Sequence, residues 1–432
     1  MTVIEVVELP AALAATRFPP LHMVEQRFRV PPAVDPTREI ERQWAEAWSA
    51  TGVPSGGAVA VAVGSRGIRG LPSIVATVVR CLRQHGCRPF IVPAMGSHGN
   101  ATAEGQLSVL ADLGVTESTV QAPVRSSLDV VSLGEAEGLP LYMDRLAAEA
   151  DSIVLINRVK PHTDFVGRFE SGLMKMLVIG LGNHVGASAC HQQALTRGLA
   201  DVIETVGTAL LRTGRVALGI AVVENQHHEA CEVRLLPATH WKTVEPRLLE
   251  RARALLPRLP LDDIDVLLVD EMGKDVSGAG MDPNVTARSV GSWVAKRERP
   301  RIARIVVRSL TPAAEGNATG LGSVDVAPRR LIDQVDMAAT ATNALTSCAP
   351  EDCKLPLTVA TDRDALVAAL ATLRPHTVDD LRLVHIRNTL ALERLEVSPG
   401  CLPHLRTDID LIVSPDPLPL AFDGEGALIS RL

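Results

Sequence analysis

AVAVAVG (58–64), SRGIRG (65–70), LPSIVATVVRCLRQHG (71–86) and RPFIVPAMG (88–96) decide the fold. The first is a short apolar run, the pattern of a strand buried on both faces. The third has helical spacing of its apolar residues and ends on a glycine stop. The fourth is a second buried strand. Strand, glycine-rich turn, helix and strand in that order make a parallel unit.

The same grammar extends outward. A helix, QLSVLADLG, follows SHGNATAEG. SIVLINRV (152–159) is a later strand, followed by KPHTDFVGRFESG and LMKMLVIGLG, and RVALGIAVVE (215–224) is another. Upstream, TREIERQWAEAW reads as a helix with Thr37 as its N-cap. Near 255–263, LLPRLPLDD interrupts the pattern and reads as a linker. A second α/β unit then opens with IDVLLVDEMG (264–273). It continues through RIARIVVRSL (301–310), one long helix RRLIDQVDMAATATNALTS (329–347) and a strand near LRLVHI (381–386). LRTDIDLIVSPD, in the tail, reads as a last strand packing back. The expectation is an α/β protein of two domains, 1–260 and 261–432. Each has a mostly parallel sheet flanked by helices, with the active site in the cleft between them.

Composition narrows the function. The chain has 432 residues, 46% hydrophobic and 22% charged, which fits a packed globular protein. The formal net charge of −7 argues against nucleic acid or an anionic membrane as the main partner. No basic start with an apolar run opens the chain, and no stretch of eighteen apolar residues follows. Seven cysteines without CxxC pairing read as reduced thiols, so a cytoplasmic location is expected.

Ligands of open α/β sheets bind at the carboxyl ends of the strands. Four loops there carry Gly, Ser or Thr with a cation or imidazole: 64–70, 95–106, 160–175 and 273–288. His98 follows one strand, with Gly96 and Gly99 to let the backbone approach a ligand, and Ser97 between them. His162 holds the corresponding place after another strand. Two imidazoles at one sheet edge suit proton transfer in either direction. Only six lysines occur against a background of arginine, and Lys175 sits in an otherwise apolar helix start. Buried and neutral, it would be a nucleophile; snorkelling to water is the plain alternative. His191 lies sixteen residues on, beside Cys190, with His184 nearby, but without the spacing of a closed zinc site. His227 and His228 are adjacent, diverge, and read as a solvated pair.

Together PAMGSHGNATAEGQ (93–106), INRVKPHTDFVGRFESGLMKMLVIGLG (156–182) and, more weakly, GKDVSGAGMDPNVTAR (273–288) resemble the nickel-dependent lactate racemase family. That resemblance implies a nickel pincer nucleotide bound covalently through Lys175, with His191 as nickel ligand. It makes His98 and His162 the acid/base pair, and places Arg66 or Arg69 with Ser97 and Gly99 at the cofactor. Lys274 or Arg288 would meet the substrate carboxylate. The implied reaction is racemisation or epimerisation of a 2-hydroxy acid by reversible hydride transfer through a bound 2-keto acid. The cofactor would be loaded by its biosynthesis proteins, and a homo-oligomer is compatible with all of this. Three features depart from the family: the His162-to-Lys175 stretch is longer, Glu170-Ser171-Gly172 replaces a glycine-rich approach, and the first loop lacks an acidic residue. They turn the expectation from lactate toward a larger or more polar acid. An NAD(P)-linked oxidoreductase would need a GxGxxG turn, which the first two loops do not supply. A non-catalytic nickel-cofactor or nucleotide carrier would bind without turnover. A zinc hydrolase lacks HExxH or a comparable ligand set.

Overall fold

A computed structural model describes residues 6–291 and 296–432 of the chain. It divides into two compact units, one formed by residues 30–256 and the other by 1–29 with 257–432. The first strand, β1 (His22–Arg27), belongs to the second of these units. The strands β2 (Ala58–Val63), β3 (Arg88–Pro93), β4 (Val130–Ala136), β5 (Leu139–Asp144), β6 (Ser152–Arg158), β7 (Val216–Glu224) and β8 (Ala230–Pro237) lie in the 30–256 unit.

Its five-stranded sheet has the order β3-β2-β6-β7-β8. The first four strands are parallel, and β8 returns antiparallel to β7. Nearly every residue of β2 is buried, as an apolar run without alternation requires. Helix α1 (Pro36–Ser49) and helix α2 (Leu71–Gln84) supply Ile40, Trp44, Ile74, Val78 and Leu82 to a core shared with Val59, Val61, Ile91, Val154 and Ile220. Each such aliphatic side chain contributes about 1.5–3 kcal/mol on burial. The N-cap of α1 is Asp35, not Thr37. Its carboxylate accepts from the Thr37 N–H at 2.9 Å, and Pro36 takes the first helical position, where no N–H is needed. Helix α3 (Ala103–Asp112) is capped by Thr102. Helices α4 (Asn183–Arg197), α5 (Leu199–Arg212) and α6 (Trp241–Ala254) complete what the site needs.

In the other unit an eight-stranded sheet is built from β9 (Asp263–Met272), β10 (Arg301–Leu310), β11 (Val326–Pro328), β12 (Leu357–Val359), β13 (Leu383–Ile386), β14 (Arg394–Val397), β15 (Asp410–Val413) and β1. The order is β12-β11-β10-β9-β13-β14-β1-β15, parallel as far as β13 and antiparallel beyond it. β1 pairs with β14 on one side and β15 on the other, so the first 29 residues are not part of the 30–256 unit. A first domain running from residue 1 is corrected on that point. Backbone pairing across hundreds of residues left no local mark in the sequence. The long helix expected over 329–347 is two, α7 (Arg329–Asp333) and α8 (Met337–Thr346). Asp336 breaks it by capping the Ala338 and Ala339 N–H groups. Among the described residues no single helix is long and apolar enough to cross a membrane.

Candidate active site

The site builds from the carboxyl ends of β2, β3 and β6. Backbone register puts Val63 beside Pro93 and Ile156, so the loops that follow emerge side by side. From β3 the chain enters a tight turn. Gly99 has φ +69°, and a Cβ there would stand 2.5 Å from the Gln106 nitrogen. Only glycine closes this turn. Gln106 is fully buried, and its amide donates to the Gly96 carbonyl at 3.0 Å. The Ser97 carbonyl accepts from the Ala101 N–H at 3.1 Å. His98 therefore rides on a fixed backbone, with its ring exposed. Its Nδ1 lies 2.5 Å from Ser65 Oγ, on the loop that leaves β2.

From β6 the chain enters the loop that carries His162. The Glu170 carboxylate, 1% exposed, organises it. Glu170 accepts from the His162 N–H at 2.7 Å and the Gly167 N–H at 2.9 Å, and pairs with Arg253 at 2.5 Å. Lys160 and Ser171 exchange backbone hydrogen bonds at the loop's base. Next comes a single α-turn, Leu173–Lys175, which widens into a π-turn over Met176–Gly180. The Leu181 N–H reaches the Met176 carbonyl at 2.9 Å, five residues back. Gly180 is seated against β3: a Cβ there would lie 2.6 Å from the Ala94 carbonyl oxygen.

The chemistry concentrates on His162 and Lys175. The Asp164 N–H donates to His162 Nδ1 at 3.0 Å. With Nδ1 accepting, the hydrogen of a neutral imidazole sits on Nε2. That Nε2 lies 2.5 Å from Lys175 Nζ. Two donors cannot face each other, so the amine accepts in this geometry once it has lost its proton. The electrostatics ease that loss. Burial pulls the Lys175 pKa down to about 8; Asp164 opposes this, while Arg66 and Lys160 reinforce it.

Arg66 stands in the same electrostatic neighbourhood. Burial, then the Arg158 guanidinium, pulls its pKa below the usual arginine value, although part of the side chain meets solvent. Arg69 does not join it: Nη1 pairs with Glu229 Oε1 at 2.7 Å on the surface. Of the two arginines expected at the cofactor, the structure brings only Arg66 to the amine. His191 lies one helical turn beyond Ala187 on α4. The Ala187 Cβ is 3.6 Å from the place a Gly96 Cβ would occupy. Residues four apart share a helix face, so His191 is on the face turned toward the His98 turn. Burial pushes the Cys190 thiol up to about 12, which keeps it protonated and leaves it a packing residue. Among the described residues no three His, Cys, Asp or Glu side chains gather into a metal cage. His227 and His228 are exposed on the β7–β8 turn.

Two carboxylates have roles the sequence did not reveal: Glu170, which stood out only as a departure from a glycine-rich approach, and Glu245. Glu245, fully buried on α6, accepts from the Met174 N–H at 3.2 Å, and burial pushes its pKa up to about 8. A Cβ on Gly172 would stand 2.0 Å from Glu245 Oε1, so glycine is what admits the carboxylate. Arg253, two turns further along α6, holds Glu170. The available signal was this pair at i and i+8 on one helix face.

In the other unit, Lys274 and Arg288 belong to opposite ends of the sheet. Lys274 follows the carboxyl end of β9 and donates to Asn343 Oδ1. Arg288 returns to the amino end, where Nη1 meets both Asp325 oxygens at 3.0 Å and Nη2 the Ile302 carbonyl at 2.7 Å. Ten residues of strand separate the two ends, about 30 Å. The two alternatives for the substrate carboxylate thus stand at different strand ends, because the 273–288 segment runs the length of the strand. Arg288 also borders a cavity of about 430 Å³ with Asp263, Arg301 and Arg382. That cavity is at the amino edge, away from the strand ends where open α/β sheets take ligands.

The fold is α/β, and one sheet edge carries the imidazoles of His98 and His162 and the Lys175 amine. Residues 58–200 match the family described as the lactate racemase N-terminal domain. The matched stretch runs from β2 into α5 and holds Arg66, His98, His162, Lys175 and His191. Among solved structures, the lactate racemase apoprotein from Thermoanaerobacterium thermosaccharolyticum is 12% identical. The alignment covers 66% of this chain and 69% of that one, at a TM-score of 0.43. A protein from Thermotoga maritima is 14% identical, covering 74% and 83%, at a TM-score of 0.47. No curated protein matches the chain.

Proposed function

We propose that the chain is a racemase or epimerase of a small 2-hydroxy acid, working with a nickel pincer nucleotide linked to Lys175. The observation that carries this reading is the buried Lys175 amine, 2.5 Å from His162 Nε2, with its pKa brought down to about 8. A protonated lysine cannot form the covalent link, and burial leaves a larger share of this amine unprotonated than an ordinary lysine has. The surroundings fit the group. Arg66 and Lys160 offer positive charge to its anionic substituents. His191 is the single imidazole for a metal that arrives on the cofactor.

When bound, such a group supplies a reversible acceptor for hydride. The chain's own residues do the rest. His98 and His162 take and return the hydroxyl proton, exchanging roles with the direction of reaction. Arg66 and Lys160 orient the substrate carboxylate or the cofactor phosphate. Cofactor-biosynthesis proteins would carry out the loading, in the cytoplasm.

The test is to co-produce the chain with those proteins, locate the adduct by mass spectrometry, and screen single enantiomers of 2-hydroxy acids in deuterated water. An adduct on Lys175, lost in Lys175→Ala, with inversion and little deuterium at the stereocentre, is expected. Inversion that persists in Lys175→Ala would refute the anchor, and extensive deuterium uptake would refute internal hydride return. Adduct without turnover of any acid would leave a cofactor carrier.

A further inference from the structure

We infer that Ser65 is the positioning residue of His98, a hydroxyl that lets one imidazole serve as acid and as base without moving. The inference rests on the acid/base reading of His98. Its geometry is that of two neighbouring strand ends. Ser65 leaves β2 one residue after Gly64, His98 leaves β3 after Gly96, and the strands are hydrogen-bonded through Val63 and Pro93. The backbone under His98 is already pinned, by the Gln106 amide and by the His98 N–H to the Met95 carbonyl at 3.2 Å. What remains is rotation of the ring. The contact of Ser65 Oγ with Nδ1 at 2.5 Å restricts that rotation.

A hydroxyl suits this place because it accepts from Nδ1 without adding charge. As a base the ring offers the Nε2 lone pair, and as an acid it offers the Nε2 proton. Nδ1 carries hydrogen in both forms, and Ser65 accepts from it in both, so the ring need not turn between them. A carboxylate in the same place would also accept from Nδ1, but it would favour the charged ring.

The test compares Ser65→Ala, Ser65→Thr and Ser65→Asp in the full chain. The first readout is ¹⁵N NMR titration of the histidine rings without cofactor. Ser65→Thr should reproduce the parent, and Ser65→Asp should raise the His98 pKa by about one unit or more. Ser65→Ala should change the tautomer balance of His98 and leave His162 unmoved. In loaded enzyme, Ser65→Ala should lower kcat about tenfold in both directions with KM little changed. Rescue by Ser65→Thr is expected. His98 titration and tautomer identical in Ser65→Ala and Ser65→Asp would overturn the inference. A coupled titration in a protein whose turnover ignores His98→Ala would instead overturn the acid/base reading of His98. The role of Ser65 would fall with that reading, although the hydrogen bond would remain.

Discussion

His98 and His162 follow equivalent strands of one sheet, yet the molecule treats them differently. The first is an exposed ring on a glycine-closed turn, in contact with a hydroxyl. The second is 11% exposed, on a loop held by a buried carboxylate, and faces an amine. The difference teaches that position after a strand delivers a side chain to the site, but its partners set what it does. His162 is tied to the reactivity of Lys175, and His98 is independent of it.

Several experiments would break or sharpen that contrast. The largest effect should come from Glu170→Ala. It leaves the Arg253 charge and two loop N–H groups without their carboxylate, at a cost of about 3 kcal/mol in urea unfolding. Amine reactivity at Lys175 should change with it, while the titration of His98 stays as it was. If His98 moved equally, the two loops would not be independent. His98→Ala and His162→Ala should each cost at least ~10²-fold in turnover of loaded enzyme. Only His162→Ala should also alter the rate at which an acylating reagent modifies Lys175. Equal effects of both variants on that rate would erase the distinction.

Next in size is a pH effect from two groups beneath His162. Glu245 is shifted from 4.5 to about 8, so the folded chain holds more protons than the unfolded one between those values, and stability falls as pH rises through them. Lys175 is shifted from 10.5 down to about 8. The folded chain then holds fewer protons from about 8 to 10.5, and stability rises again. A shallow minimum near pH 8 is expected in urea midpoints; Glu245→Gln should remove its acid side and Lys175→Met its alkaline side. The smallest effects separate the arginines. Arg66→Ala removes a charge that depresses the Lys175 pKa and should slow its acylation a few-fold near pH 7.5. Arg69→Ala breaks only a surface pair, changes stability by less than about 1 kcal/mol, and should leave the amine untouched.

Much of this was legible in the chain itself. β2, β3, β6 and β7 are largely apolar runs, and β9 and β10 carry one at their centres, because strands buried on both faces have no polar side to alternate with. The rule that ligands sit at strand ends then pointed to the loops of His98 and His162. What escaped reading depended on distant partners. β1 carries mixed residues whose pairing with β14 and β15 is a backbone matter. The β4–β5 hairpin, half-exposed, shows no clean period. Glu170 looked like a departure from a glycine-rich approach, and only the fold reveals the N–H groups it collects. The course of 273–288, from one strand end to the other, left no signal because loop composition does not encode direction.

The placement of β1 has a consequence for how the protein is made. One unit is a continuous segment ending at Leu256, whereas the other needs its opening strand to wait for β14 and β15. During synthesis, β14 and β15 emerge about 7–30 seconds after Leu256, at ~5–20 residues per second. The segment with Lys175 can therefore finish folding while its neighbour still lacks most of its sheet, which opens an interval on the ribosome in which the amine is formed before the rest of the polypeptide exists.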